Sequence, residues 1–156
     1  MKSKGVKFGL VLFLGVLGLI VVATAAESVP SPYIYGRWTV KRLIPNSGIQ
    51  VGPRQLKPLL GTVAIYSPSR AKFGRYVVER PKYRLRRESA HQFFEGWYID
   101  PSEIGIRGRS VDTLIVLDEQ GRDVIAPGMV LIIRGKNDLV TSWDGGFFEM
   151  VRQKWR

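Results

Sequence analysis

Few side chains in this sequence have the types and spacing that catalysis requires. His91 is the single histidine, and it lies four residues before Glu95 on a predicted helix, a spacing that lets one side chain orient the other. Asp144 and Glu149 could act as an acid and a base, but the sequence does not set their separation. Ser89 fits a helix cap better than a nucleophile. We therefore expect no catalytic residue and no enzyme activity, with a hydrolase as the alternative.

The cysteine and histidine counts exclude several classes of site. The sequence contains no cysteine and one histidine, which rules out disulfides, cysteine-ligated zinc, iron–sulfur clusters and a multi-histidine metal site. No phosphate loop, dinucleotide-binding motif or zinc motif is present. We therefore predict neither a metal ion nor a cofactor.

Positive charge is concentrated in the first half of the chain. The whole sequence has 24 basic and 13 acidic residues, a formal net charge of +11. Between Arg37 and Arg87 there are 13 basic residues and one acidic residue, whereas residues 88–151 contain 11 acidic and five basic residues. Because side chains on one face of paired strands lie about 5 Å apart, we expect eight of the basic residues to form one positive surface. They are Arg70, Lys72, Arg75, Arg80, Lys82, Arg84, Arg86 and Arg87.

Two explanations of this charge pattern compete. In the first, the eight residues bind an anionic membrane surface or polymer. In the second, the acidic second half of the chain neutralises them, and the remaining net charge only keeps the protein soluble. Nucleic acid is not an expected partner, because no base-stacking motif is evident and because the first 25 residues, described next, predict export, and an exported protein rarely meets nucleic acid.

Residues 1–25 have the pattern of a secretory signal peptide. Three lysines precede an uninterrupted apolar stretch over residues 9–23, and small residues follow it. Cleavage fits before Ala26 or before Glu27. We predict an exported protein, secreted or periplasmic. An uncleaved membrane anchor is the alternative, although the apolar stretch is shorter than the roughly 20 residues that span a bilayer.

Alternating apolar and polar residues predict a series of short strands. The first covers Tyr35–Ile44 and places Trp38, Val40 and Ile44 on one face. Similar runs between turn residues predict further strands at 62–66, 72–78, 82–87, 111–117, 124–126, 129–133, 139–143 and 147–151.

Short helices are predicted between these strands. Pro53–Leu60 has proline at its first turn and is followed by the helix-stop residue Gly61. Ser89 and Asp100 each begin a segment with capping-box spacing.

These elements predict one all-β domain over residues 35–156, after a lead-in segment at 26–34. About eight strands without a long helix favour an antiparallel up-and-down barrel, because closing the sheet removes its unpaired edges. An open sheet packed on the short helices is the competing architecture.

Two short motifs resemble those of lipocalins and related calycin-type barrels. Gly36 and Trp38 form a G-x-W motif at the first strand, and Arg152 ends the last strand. The resemblance implies that the first and last strands pair and that the basic side chain packs across the indole ring. The chain is also similar to small secreted bacterial lipocalin-like domains in its ending, which contains Trp143, Asp144, Gly145, Phe147, Phe148 and Glu149.

Two predicted strands are apolar on both faces, so something must cover their outer side. They lie at 113–117 and 129–133. The helix containing Phe93 and Phe94 is one candidate cover, and a second subunit is the other. We therefore predict a monomer or a homodimer.

Strand alternation also predicts which residues face the barrel interior and could bind a ligand. This set is Val63, Ile65, Tyr83, Leu85, Ile115, Leu131, Ile133 and Trp143. The leading functional hypothesis is a binding protein that buries a small apolar or anionic amphiphilic molecule among these side chains. The alternative is a cell-envelope interaction module that binds an anionic polymer or membrane surface, or that inhibits a secreted enzyme. An interior filled by its own side chains would favour the alternative.

Overall fold

The computed structural model describes residues 33–45 and 53–154. The predicted signal peptide at 1–25 and most of the predicted lead-in at 26–34 lie outside these ranges.

The described residues form nine strands and a few short helical segments. The strands are β1 Gly36–Ile44, β2 Val63–Tyr66, β3 Arg70–Phe73, β4 Tyr76–Glu79, β5 Lys82–Ser89, β6 Ser110–Leu117, β7 Val130–Gly135, β8 Asp138–Trp143 and β9 Gly146–Arg152. The α-helices are α1 Pro53–Leu56 and α2 Ala90–Glu95, and 3₁₀ turns cover Lys57–Leu59 and Pro101–Ile104.

All nine strands belong to one curled antiparallel sheet that forms a half-barrel. Its strand order is β4-β3-β2-β1-β9-β8-β7-β6-β5. Apart from β1 and β9, strands that are adjacent in the sheet are also consecutive in the chain. The predicted all-β fold with up-and-down connections is therefore confirmed.

The two end strands of the sheet, β4 and β5, are halves of one bent ribbon. The strand direction reverses at each of the eight antiparallel pairings between them, so β4 and β5 run in the same direction. Only Arg80 and Pro81 join them, and Arg80 has a positive φ of 47°. The first half pairs with β3 and the second half with β6. Counting the ribbon once gives the predicted eight strands.

Two predicted strands are wrong. The segment 124–126 lies in the loop between β6 and β7, where the neighbouring Asp123 forms an isolated bridge with Leu117. The segment 72–78 is not a single strand but contains the turn of the β3–β4 hairpin, in which Lys72 pairs with Val77. The turn lies at Gly74 and Arg75, and Gly74 has a φ of 56° that favours glycine.

The first and last strands pair, as predicted. Trp38 on β1 lies opposite Arg152 on β9, and the ladder continues to Ile44 opposite Phe147. The register shifts between Val40 and Arg42, which leaves Lys41 as a bulge. One extra residue turns the following side chains to the opposite face. The prediction that Ile44 shares a face with Trp38 is therefore wrong.

Apolar side chains pack on both faces of the sheet. The inner cluster contains Ile34, Trp38, Val40, Leu56, Ala64, Tyr66, Ala71, Phe73, Tyr83, Leu114, Val116, Met129, Leu131, Leu139, Phe148 and Met150. The outer cluster contains Ile44, Ala90, Phe94, Ile99, Ile104, Ile106, Val111, Ile132, Val140 and Phe147.

The segment between β5 and β6 covers the outer face, as predicted for its two phenylalanines. Phe94 is buried, and its ring centroid lies 6.1 Å from that of Phe147 on β9. The Ser89 hydroxyl caps α2 by accepting from Gln92 N, and the predicted capping box at Asp100 is also present. The chain therefore covers its own outer face across β6–β9.

Candidate functional site

The Trp38–Arg152 pair joins the first and last strands of the chain, β1 and β9, which are neighbours within the sheet. The Arg152 guanidinium lies 4.3 Å from the centroid of the Trp38 ring, and its Nη1 donates to Tyr35 O at 2.6 Å. Trp38 Nε1 donates to Ile34 O at 2.8 Å. A Cβ on Gly36 would lie 2.7 Å from Arg152 Nη1, so the close approach requires glycine. The pair has the structural role that the resemblance implied.

The predicted ligand-binding residues are divided between the two faces of the sheet. Tyr83 and Leu131 belong to the inner cluster, and Ile133 and Trp143 pack against it. Leu85 pairs with the inner-face residue Leu114 but is 36% exposed on the terminal ribbon.

The other three predicted residues face outward, so the interior position predicted for them is wrong. Val63 and Ile65 alternate with Ala64 and Tyr66, which occupy the inner cluster. Ile115 lies between the inner-face residues Leu114 and Val116. Both segments are apolar on both faces, so the sequence does not show which side faces inward. A ligand-binding role for any of the eight residues stays a prediction.

The interior of the half-barrel is filled by large side chains. Trp38, Tyr66, Phe73 and Phe148 are each at most 1% exposed. A cavity large enough for a ligand would leave its lining accessible to a water-sized sphere. The filled interior therefore does not support the leading hypothesis.

The loop between β6 and β7 completes this packing. Tyr66 Oη donates to Gly128 O at 2.7 Å, and burial raises the pKa of the Tyr66 hydroxyl. A Cβ on Gly128 would overlap the Phe73 ring, so the loop backbone lies directly against that ring. Val124 and Ala126 pack on the inner cluster from the same loop.

The predicted positive surface is dispersed. Arg70 and Lys72 lie on β3, Arg75 lies in a turn, and Arg80 lies at the bend of the ribbon. The remaining four are on β5, which does not pair with β3 or β4.

Acidic partners neutralise half of the predicted set. Arg70 pairs with Glu79, Arg80 with Glu119, Arg84 with Asp123 and Arg87 with Asp112, at N–O distances of 2.6–3.5 Å. The last three acids lie in the second half of the chain. Anion binding by the eight residues as a group stays a prediction, and these pairs favour neutralisation as the explanation.

A different group of basic residues surrounds a groove on the outer surface. The groove has a volume of about 830 Å³. We call it the cationic groove, and its lining consists of Arg37, Thr39, Lys41, Val151, Arg152, Gln153 and Lys154. It follows the paired strands β1 and β9 at the end where Arg152 lies. No acidic or aromatic side chain is among these lining residues.

Three basic side chains of the groove are exposed and unpaired. Within residues 33–45 and 53–154, Arg37, Lys41 and Lys154 make no ion pair. Lys41 is the bulged residue of β1, which adds a side chain to this edge of the groove. These charges are available to a partner in solution.

Backbone and side-chain hydrogen bonds hold the floor of the groove. Gln153 N donates to Arg37 O at 2.8 Å, which extends the β1–β9 pairing past Arg152. The Gln153 side-chain amide donates to Thr39 Oγ1. The floor is therefore polar and is built on paired strands rather than on a loop.

The outer face continues from the groove across β2 and β3. Arg37 pairs with Ile65, which pairs with Lys72, and Lys72 pairs with Val77. Lys72 is exposed, and no ion pair is present at this side chain in the part of the chain that the structure describes. The cationic groove thus opens onto a face that carries apolar side chains and one further positive charge, that of Lys72.

The acid–base candidates lie in different surroundings. Glu149 is held by Arg42 Nη2 at 2.8 Å and by Arg134 Nη2 at 2.7 Å. The hydrogen bond from Arg42 is the main cause that holds the pKa of Glu149 below its ordinary value of 4.5, and Arg134 adds to it. Asp144 is exposed in the β8–β9 turn with a φ of 48°. His91 is likewise exposed.

Comparison of the chain with protein-family models, with curated proteins and with solved structures finds no match in any of the three.

The described residues also contain no group of three or more acidic or histidine side chains that could hold a metal ion. None of the described helices has the length and apolar character needed to cross a bilayer.

Sequence reasoning missed the cationic groove, although its parts were visible. Arg37 and Lys41 are the polar residues of the first predicted strand, and Lys154 lies just beyond the last. Since the pairing of these two strands was predicted, so was their proximity. The high density of basic residues at 70–87 led instead to a predicted positive surface there. Most of the acids that neutralise those residues lie far from them in the sequence, so the neutralisation was not visible.

Proposed function

We propose that this protein is a binding module that holds an anionic partner in the cationic groove. The observation that carries this proposal is the set of exposed, unpaired side chains of Arg37, Lys41 and Lys154 around one groove. Like charges gathered on one surface repel each other, and an anionic partner removes that repulsion.

The distribution of ion pairs supports the groove over the other basic surfaces. Eight pairs are present among the described residues, and they neutralise seven arginines on β1, β3, β5, β7 and the loops. No lining residue of the groove takes part in them. Its positive potential is therefore not reduced by a direct acidic contact.

An interior site for an apolar ligand has less support. It rests on the resemblance to lipocalins, whereas the interior side chains are almost completely buried against each other. A ligand of that type would have to displace Phe73, Phe148 or the β6–β7 loop.

Two further statements belong to the same proposal. The antiparallel half-barrel and the Trp38–Arg152 contact support a lipocalin-like domain. The basic and apolar start of the sequence supports export, which would bring the groove to the polymers and surfaces of the cell envelope.

The test compares two triple variants with equal charge. In the groove variant, R37Q, K41Q and K154Q are combined. In the control variant, K82Q, R86Q and R107Q remove three exposed charges elsewhere. Retention on a heparin column and circular dichroism are measured for both and for the unmodified protein.

We expect the groove variant to elute at a much lower salt concentration than the control, with both folded. Coulomb attraction to a polyanion depends on charges that it can approach together, so the position of the charges decides retention. Equal retention of the two variants would show that net charge alone is responsible and would overturn the proposal.

A further inference from the structure

We infer that the groove takes an extended anionic polysaccharide, with negative groups repeated along the chain, rather than a single anion or a membrane surface. This inference rests on the proposed function and names the class of its partner. Three features of the groove carry it: the spacing of its charges, its shape and the chemistry of its floor.

The basic side chains are spread along the groove instead of converging on one point. Arg37 and Lys41 are four residues apart on β1, about 13 Å at the rise of a strand. Lys72 is two strands away from Arg37, about 10 Å at the usual strand spacing. At these separations each side chain has room to pair with its own anionic group. A chain with repeated anionic groups can contact them in succession.

The shape of the site favours a chain over a plane. The positive residues line a concave space of about 830 Å³, whereas a bilayer presents a flat surface. Apolar side chains that insert between lipid headgroups strengthen membrane docking beyond the attraction of basic residues to anionic lipids. The apolar residue in the groove lining, Val151, is only partly exposed on the paired strand β9.

The floor offers hydrogen-bonding groups that suit a polysaccharide. The Thr39 hydroxyl and the Gln153 amide lie between the charged residues, and they bond to each other. Hydroxyl and amide groups bind the hydroxyl groups of sugars. Single-stranded nucleic acid binds on aromatic stacking platforms, and among the described residues no aromatic side chain lines the groove.

The experiment measures binding to probes of the same chemistry but different length and form. The full protein is titrated with sodium sulfate, a heparin disaccharide, a heparin dodecasaccharide and vesicles of phosphatidylcholine with phosphatidylglycerol. The groove variant and the control variant are measured in parallel. Isothermal titration calorimetry gives affinities for the soluble probes, and co-sedimentation gives binding to vesicles.

We expect the dodecasaccharide to bind about 100-fold more tightly than the disaccharide, because each added contact is intramolecular once the first has formed. The groove variant should lose this gain, and the control variant should keep it. The slope of log affinity against log salt should correspond to about three ionic contacts in the control and fewer in the groove variant.

The other outcomes separate this inference from the proposed function. Sulfate, disaccharide and dodecasaccharide could bind with equal affinity, and the groove variant could lose this binding. That result would overturn the inference of an extended partner but would keep the proposed binding of anions in the groove. Binding to vesicles alone, lost in the groove variant, would replace the polysaccharide by a membrane surface. Equal binding by both variants to every probe would contradict the inference and the proposed function together.

Discussion

At two positions of this protein a side chain packs so closely against the backbone that glycine is needed there. Gly36 admits the Arg152 guanidinium beside the chain, and Gly128 admits the Phe73 ring. Both glycines have a positive φ, 137° and 77°, so an L-side chain at either position is strained as well as crowded. At Gly128 the crowding is severe, because a Cβ would lie 2.7 Å from Phe73 Cβ.

The substitution Gly128→Ala is therefore expected to be strongly destabilising. Overpacking and the unfavourable φ together should lower the free energy of unfolding by about 2–4 kcal/mol. Urea denaturation followed by tryptophan fluorescence measures this change. The control is Gly135→Ala, at a site with no atom within 4 Å of the added Cβ. Similar stability of the two variants would contradict the described packing of the β6–β7 loop.

At the scale of elements, an ion cluster on the outer face ties β1, β7, β8 and β9 together. Arg134 on β7 contacts Glu149 and Asp138, both at 2.7 Å, and donates to Ile104 O at 2.9 Å. Arg42 on β1 contacts the same Glu149. The side chains of Arg134 and Glu149 are only 11% and 18% exposed. Water therefore cannot easily take the place of the Glu149 carboxylate as the partner of Arg134.

Stability should depend on the ionisation of Glu149. Its pKa is lowered in the folded protein, chiefly by the hydrogen bond from Arg42. The carboxylate therefore stabilises the fold above its unfolded pKa near 4.5, and that contribution is lost as the pH falls through the lower folded value. We expect E149Q to reduce the free energy of unfolding by about 1–2 kcal/mol at pH 7 and by much less at acidic pH.

Denaturation curves at pH 7 and in steps below pH 4.5 measure this difference. The control is E95Q, which changes an exposed residue of α2. A constant difference between E149Q and the unmodified protein across this range would show that the loss comes from packing and not from the charge.

At the scale of the whole molecule, the described half-barrel has a packed interior, and the cationic groove lies on its outer surface. The inner cluster is packed from β1 through β9, and the β6–β7 loop is part of it. The outer face is divided: α2 and the following turn pack on β6–β9, whereas the groove lies along β1 and the end of β9. Arg37, Lys41 and Lys154 of the groove are exposed.

A filled interior predicts that apolar probes find no site in the unmodified protein. We expect no saturable binding of benzene or of a fluorescent fatty acid, whereas L131A, which removes a fully buried side chain, should bind benzene in the space it leaves. Calorimetry and native mass spectrometry measure both. Stoichiometric binding of the fatty acid by the unmodified protein would contradict a filled interior and support a ligand-binding function there.

Local pattern predicted most of the fold. The strand at Gly36–Ile44 and the caps at Ser89 and Asp100 follow from residue types and spacing, and the pairing of Trp38 with Arg152 is what the resemblance to lipocalins implies. These features depend on steric preferences and hydrogen bonds within a few residues, or on a recognisable pair of side chains. The predicted number of about eight strands is close to the observed nine, although the segments 72–78 and 124–126 are not strands.

By itself the sequence determined an antiparallel β-sheet fold, its approximate strand number and its positive charge. Only the tertiary structure decided which charges are neutralised and which side of an apolar strand faces inward. The bulge at Lys41 moves the side chains that follow it on β1 to the opposite face of the sheet. The acids that pair with Arg80, Arg84 and Arg87 come from a strand and a loop that are distant in the sequence. Strand register and contacts across the sheet set these features, because a shift of one residue exchanges the faces while leaving the local pattern unchanged.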